Sequence, residues 1–271
     1  MSCEAPIGIF DSGVGGLTVA KEIMQQLPKE KLIYFGDTAR VPYGSKSKET
    51  VTAYSRQIIK FLLSKQVKAI VVACNTASAL ALDTVSKEVE VPMIGVVKPG
   101  AKVAVQTTKN GKIGVIGTEA TIRSGLYPTL LKAMNPKLEV YEQPCPLFVP
   151  LVEEMWLNDP VTKEIAKRYI CGLQKQDIDT LVLGCTHYPL LRPILREIVG
   201  DQVALVNPAY ETAKYLKEVL SLKKLECTEN KYQSDHIFYV SDGAEKFRAF
   251  ASSILACEMI ETKDVNIKIF D

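Results

Sequence analysis

Histidine is nearly absent from this sequence. The 271 residues include two, His187 and His236, and a single tryptophan. So few imidazoles exclude most His-rich metal sites and make the position of each one informative. The seven cysteines, at 3, 74, 145, 171, 185, 227 and 257, form no C-x-x-C pair and are odd in number, which speaks against a disulfide framework. Neither charge sign dominates: 33 basic residues stand against 31 acidic ones, for a formal net charge of +2. Nucleic acid and membrane surfaces therefore have no electrostatic support as partners. The apolar runs are five to seven residues long, far short of the ~20 needed to span a bilayer. The start, "MSCEAPIGIF", lacks the basic segment and long apolar core of a signal peptide, so a cytoplasmic protein is expected.

What the chain does have is alternation. Short β-branched runs, "IGIF" (7–10), "KLIYF" (31–35), "VKAIVVA" (67–73) and "VPMIGVV" (91–97), alternate with longer amphipathic stretches. One such stretch, "GVGGLTVAKEIMQQL", reads as a helix opened by its glycines. The second half repeats the scheme with strands at 112–117, 137–142, 179–184 and 203–207. Helices are expected over 119–134, near 150–158, over 161–174 and from Pro189 onward. This predicts an α/β protein with mainly parallel sheets covered on both faces. "IGIFDS" aligns on "IGVIGT" and "VVACNT" on "VLGCTH", with the intervening elements in the same order. The expectation is two pseudo-symmetric three-layer αβα domains with the active site in the cleft between them. Residues 1–97 with 207–271 would form the first and 98–206 the second.

In open α/β sheets, ligands bind beyond the carboxyl ends of the strands. Four polar clusters fall there: Asp11-Ser12-Gly13, Cys74-Asn75-Thr76, Gly117-Thr118 and Cys185-Thr186-His187. If the halves face each other, one cleft receives a cysteine from each side. Two opposed thiols suit a racemase, which takes a proton from one face of a carbon and returns one to the other. A thiol near pKa ~8.5 serves as acid or base with modest tuning. Asp11 and His187 are placed to help move those protons, and Ser12, Asn75, Thr76 and Thr186 to stabilise a developing carbanion and its carboxylate.

Plainer readings compete. A lone strand-end cysteine is ordinarily structural, and so Cys3, Cys145, Cys171, Cys227 and Cys257 are read. Asp11-Ser12 before glycines reads otherwise as a helix cap, and "GVGG" falls short of a dinucleotide fingerprint. Cys185 with His187 offers too few ligands for zinc, and a Cys-His hydrolase leaves Cys74 unexplained. Lys98 reads as a solvated helix start before Pro99, and His236 as a surface residue. No metal and no cofactor is expected.

The stretches "GIFDSGVGGLTV" (8–19), "YFGDTARVPYGSKS" (34–47), "VVACNTASA" (71–79), "GVIGTEATIRSG" (114–125) and "VLGCTHYPLL" (182–191) together closely resemble the cofactor-independent glutamate racemases over nearly the whole chain. That resemblance implies interconversion of L- and D-glutamate, supplying D-glutamate for peptidoglycan synthesis, with Cys74 and Cys185 as the catalytic pair. It further implies that Asp11 assists Cys74 and His187 assists Cys185. Asp11-Ser12, Tyr43-Gly44, Asn75-Thr76 and Thr186-His187 would line the substrate site, with Thr118 and Thr121 nearby. Glu153 matches a further acidic residue, with Glu154 as its alternative. Relatives are often homodimers. Some carry an N-terminal extension and need a peptidoglycan precursor as activator; with the first strand starting at residue 7, no such activator is expected. Aspartate or another amino acid as substrate, or a non-catalytic amino-acid binding protein, are the alternatives.

Overall fold

A computed structural model describes residues 2–227, 236–255 and 261–271. The chain opens with β1 (Ile7–Asp11), α1 (Leu17–Gln26), β2 (Leu32–Gly36), α2 (Lys48–Ser64), β3 (Ala69–Val72), α3 (Asn75–Leu80), α4 (Leu82–Val85) and β4 (Met93–Gly95). A second series follows: α5 (Val97–Thr107), β5 (Lys112–Gly117), α6 (Glu119–Arg123), α7 (Leu126–Met134), β6 (Glu139–Pro144), α8 (Phe148–Glu153), α9 (Pro160–Gln174), β7 (Thr180–Gly184), α10 (Arg192–Val199) and β8 (Ala204–Val206). The last elements are α11 (Pro208–Leu222), β9 (Ile237–Val240), α12 (Ala244–Leu255) and β10 (Glu261–Asp264).

Among the described residues these strands form two sheets, one ordered β10-β9-β2-β1-β3-β4 and one β6-β5-β7-β8. Every pairing is parallel. The central strands β1 and β7 are buried along their whole length, as parallel strands covered by helices on both faces must be. Successive side chains leave a strand on opposite faces. Ile9 and Val71 accordingly join a core with Leu17, Ile23 and Leu216, while Phe10 and Val72 join another with Ile58 and Phe61. The first of these cores runs on into the second sheet through Ile116, Leu181 and Leu183. Helix α11 packs on both α1 and α5, so it joins the two halves. No described helix is long and apolar enough to cross a membrane.

The repeat seen in the sequence is carried by the register. Ile9 pairs Val71 and Phe10 pairs Val72; Val115 pairs Val182 and Ile116 pairs Leu183. Those are the positions that the alignment of the two halves matches. The result is a two-domain α/β fold.

Several elements differ from the sequence reading. Residues 13–16 are a turn and α1 starts at Leu17, because the Asp11 carboxylate takes the Gly13 N–H at 3.0 Å and diverts the chain. After Cys74 the chain forms two short helices, α3 and α4, that meet at Ala81. The one expected over 119–134 breaks at Gly125, which sits at φ 62°, a conformation glycine reaches without strain. The strand expected at 91–97 holds Met93–Gly95, and Val97 already begins α5. From Tyr188 to Leu191 the chain makes a 3₁₀ turn before α10. Strand β10 has no counterpart in the sequence reading, since "ETKD" has no apolar alternation. His236 is half-buried and its Nδ1 accepts the Leu32 N–H. Cys145 and Cys227 are buried, Cys171 is exposed on α9, and Cys257 lies outside the described residues.

A buried ion pair ties the N-terminal segment to the residues that follow α11. Lys68 is fully buried; its ammonium meets Glu30 at 2.5 Å and donates to the carbonyls of Cys3 and Leu225. Glu30 in turn accepts the Cys227 N–H at 2.9 Å. Removing one partner of such a pair strands the other charge in the interior, at a cost of about 3–5 kcal/mol. Lys68→Met should therefore lower unfolding stability by that amount in urea titration, and adding Glu30→Gln should restore part of it.

Candidate active site

The two sheets point the carboxyl ends of β1, β3, β5 and β7 at one another. Residues at and near those strand ends share a small cavity, lined by Ser12, Tyr43, Gly44, Cys74, Asn75, Thr76, Thr118, Cys185, Thr186 and His187, with Pro42 and Val149 closing it. No lysine or arginine is among these lining residues. An anionic ligand here would meet hydroxyls and an amide, with the imidazole of His187 as the one cationic candidate.

Cys74 is the N-cap of α3, its sulfur accepting the Ala77 N–H at 3.5 Å and lying 3.7 Å from Ser12 Oγ. Burial pushes its thiol up to about 12, and the neighbouring Asp11 carboxylate adds to this; the Ala77 and Ser12 contacts pull the other way. Cys74 thus holds its proton at neutral pH.

Cys185 stands in a different field. Its sulfur lies 3.8 Å from His187 Nδ1, and His187 Nε2 lies 3.2 Å from Glu153 Oε1. Burial opposes the charged imidazolium, but Cys185, Glu153 and Asp11 together outweigh it and push His187 up to about 10. Asp11 is fully buried and its carboxyl is raised by that burial, offset by His187 and by the Gly16, Gly13 and Thr186 hydrogen bonds. Thr186 Oγ1 donates to Asp11 at 3.3 Å. Asp11 of the first half and His187 of the second are therefore electrostatic partners across the cleft.

Space for this arrangement comes from Gly15. A Cβ there would fall 2.4 Å from both His187 Nδ1 and Thr186 Oγ1. Further contacts cross the cleft. Thr76 lies 2.9 Å from Thr118 and 3.2 Å from Thr121, oxygen to oxygen. Thr18 donates to the Thr186 carbonyl at 3.1 Å. The Tyr127 hydroxyl donates to Asn75 Oδ1 at 2.8 Å.

Of the residues expected in the site, ten line this cavity, and Asp11, Thr121 and Glu153 stand behind it, each in contact with a lining residue. Glu153 touches His187 from the last position of α8, while Glu154 is exposed beside Lys246. Thr121 stands one layer behind the lining, on Thr118. Lys98 is exposed, in keeping with a solvated helix start. Two further residues belong to the site without having stood out in the sequence. Asp37, fully buried, accepts from Tyr43 Oη, Ser241 Oγ and Arg40 Nε and so fixes the 40–44 loop; its place in "YFGDTARVPYG" was the available signal. Tyr127 lies in no motif. Among the described residues no group of three or more His, Cys, Asp or Glu side chains is arranged to hold a metal ion.

The raised His187 sets a sign for stability. The folded chain binds this proton more tightly than the unfolded one, so its contribution is complete below the ordinary 6.5 and is lost as pH climbs to about 10. Urea midpoints measured across that window should fall for the parent protein. In His187→Asn that part of the slope should vanish.

Residues 7–216 match the Asp/Glu/Hydantoin racemase family. The glutamate racemase of Geobacter metallireducens is 48% identical over 262 residues, covering 97% of this chain and 97% of that protein. A glutamate racemase isoform from Bacillus anthracis superposes with a TM-score of 0.92 at 40% identity, covering 96% of this chain and 97% of the other. The glutamate racemase of Francisella tularensis, solved in complex with D-glutamate, gives 0.91 at 38% identity, covering 98% of this chain and 99% of that one. Across such identity and coverage one conclusion follows: the chain belongs to the Asp/Glu/Hydantoin racemase family.

Proposed function

We propose that this enzyme interconverts L- and D-glutamate by two-base proton transfer between Cys74 and Cys185. The observation that carries this reading is that both sulfurs line one cavity while standing in opposite electrostatic fields. Glutamate as substrate is supported by relatives named glutamate racemase at up to 48% identity and by the D-glutamate bound to the Francisella protein.

Cys74, buried beside a carboxylate, starts with its proton; Cys185, beside His187, is assigned the base. One turnover in this direction moves the Cα proton onto the Cys185 thiolate, leaving a carbanion. The Cys74 thiol then delivers its proton to the opposite face, and the sulfurs end with their protonation states exchanged. Turnover in reverse starts from that exchanged state. Asp11 next to Cys74, and His187 with Glu153 next to Cys185, are the groups that reset it. Positioned acids and bases supply ~10²–10⁴-fold. The rest falls to donors already aimed where charge develops, for which Ser12, Thr76, Thr118 and Thr186 are the candidates, with Asn75 on the substrate's carboxylate. Tyr43 and Gly44, held by Asp37, and Thr121 complete the substrate-binding set. D-Glutamate for peptidoglycan synthesis, made in the cytoplasm, is the physiological role that the family resemblance supports.

The test is direct. Cys74→Ser and Cys185→Ser should each lower racemisation, followed by circular dichroism of a glutamate solution, by at least ~10²-fold with melting temperatures retained. Wild-type rates in either variant would end the two-cysteine reading. In deuterated water the product should carry deuterium at Cα. A panel of both enantiomers of glutamate and aspartate separates the two substrates, which differ by one methylene, worth only ~1–3 kcal/mol.

A further inference from the structure

We propose that Tyr127 is a positioning residue that anchors the Asn75 side-chain amide, so that its N–H end is held ready for the substrate's carboxylate. This rests on the racemase reading above. Tyr127 belongs to α7 in the second half, yet its hydroxyl reaches Asn75 in the first, immediately after Cys74. The ring is fully buried and seated by two glycines. A Cβ at Gly184, the residue before Cys185, would come within 3.2 Å of it, and one at Gly100 within 3.4 Å of the hydroxyl. One side chain therefore touches both cysteine-bearing turns.

The chemistry follows from the donor inventory of an amide. Asn75 carries an acceptor oxygen and a two-proton nitrogen, and either end fits the same space. The Tyr127 hydroxyl donates to Oδ1 at 2.8 Å. Burial, with Cys185 adding to it, keeps the phenol protonated far above neutral pH, so the donor is permanent. With Oδ1 engaged, Nδ2 is the end left for the cavity that Asn75 lines. A carboxylate then meets N–H rather than a carbonyl oxygen. Because a carbonyl oxygen repels a carboxylate, the N–H end is the one that a bound substrate selects, and without the phenol the amide has no anchor.

Tyr127→Phe removes the hydroxyl and keeps the ring. The expected result is a roughly tenfold higher KM for glutamate with kcat changed much less, since the contact is made in ground and transition state alike. Asn75→Ala should abolish the effect of the second change, so that the double variant matches Asn75→Ala alone. Asn75→Asp tests the orientation without touching Tyr127. It keeps an oxygen for the phenol but replaces the donor with a second oxygen, and its KM should exceed that of Asn75→Ala. A Tyr127→Phe protein with parental KM, losses that add in the double variant, or an Asn75→Asp protein that binds glutamate normally would each overturn the proposal. If the parent protein itself does not racemise glutamate, it is the functional reading that fails.

Discussion

The cleft depends on one charge. His187, only 2% exposed, lies against Cys185 and Glu153 and interacts electrostatically with Asp11, a carboxyl that burial makes costly to ionise. Isolated buried charges are expensive, and a buried group normally neutralises unless it is paired. The imidazolium offsets part of that cost for Asp11. The rest of the local structure serves this contact. Gly15 gives the ring room, Thr186 bridges to Asp11, and the 3₁₀ turn from Tyr188 begins directly beyond it.

Much of this is legible in the chain itself. Apolar runs that end in polar residues locate the strand ends, and two cysteines at matched positions of an internal repeat locate the cavity. Periodicity is less informative where a single residue decides. Gly125 splits one expected helix, and the Asp11–Gly13 hydrogen bond turns a glycine-opened helix into a loop. Glu153 and Glu154 are adjacent and chemically identical, so only the direction in which α8 ends separates the one on His187 from the one in solvent.

Tyr127 and Asp37 escape a sequence reading for a different reason. Both act through another residue. A tyrosine on an amphipathic helix reads as core, which Tyr127 also is; its hydroxyl finds Asn75 only because the second half packs against the first. Such cross-half contacts join residues 52 positions apart in the chain, and no local pattern encodes them. Asp37 lies within a legible motif, but its task is to hold Tyr43 and Arg40, whose side chains conceal it from the cavity.

The internal repeat ends by explaining the chemistry through its imperfection. The backbone is duplicated down to strand register, and duplication alone would give two thiols of equal basicity. The side chains around them are not duplicated. Asp11 in the first half corresponds to Gly117 in the second, and Thr76 in the first corresponds to His187 in the second. Each departure changes the charge next to one sulfur: a carboxylate near Cys74, an imidazole near Cys185. On the two-base reading proposed above, the symmetric frame brings the two sulfurs to one cavity, and the asymmetric neighbours give them unlike surroundings. A two-base exchange needs both at once, because two thiols lack a base and two thiolates lack an acid.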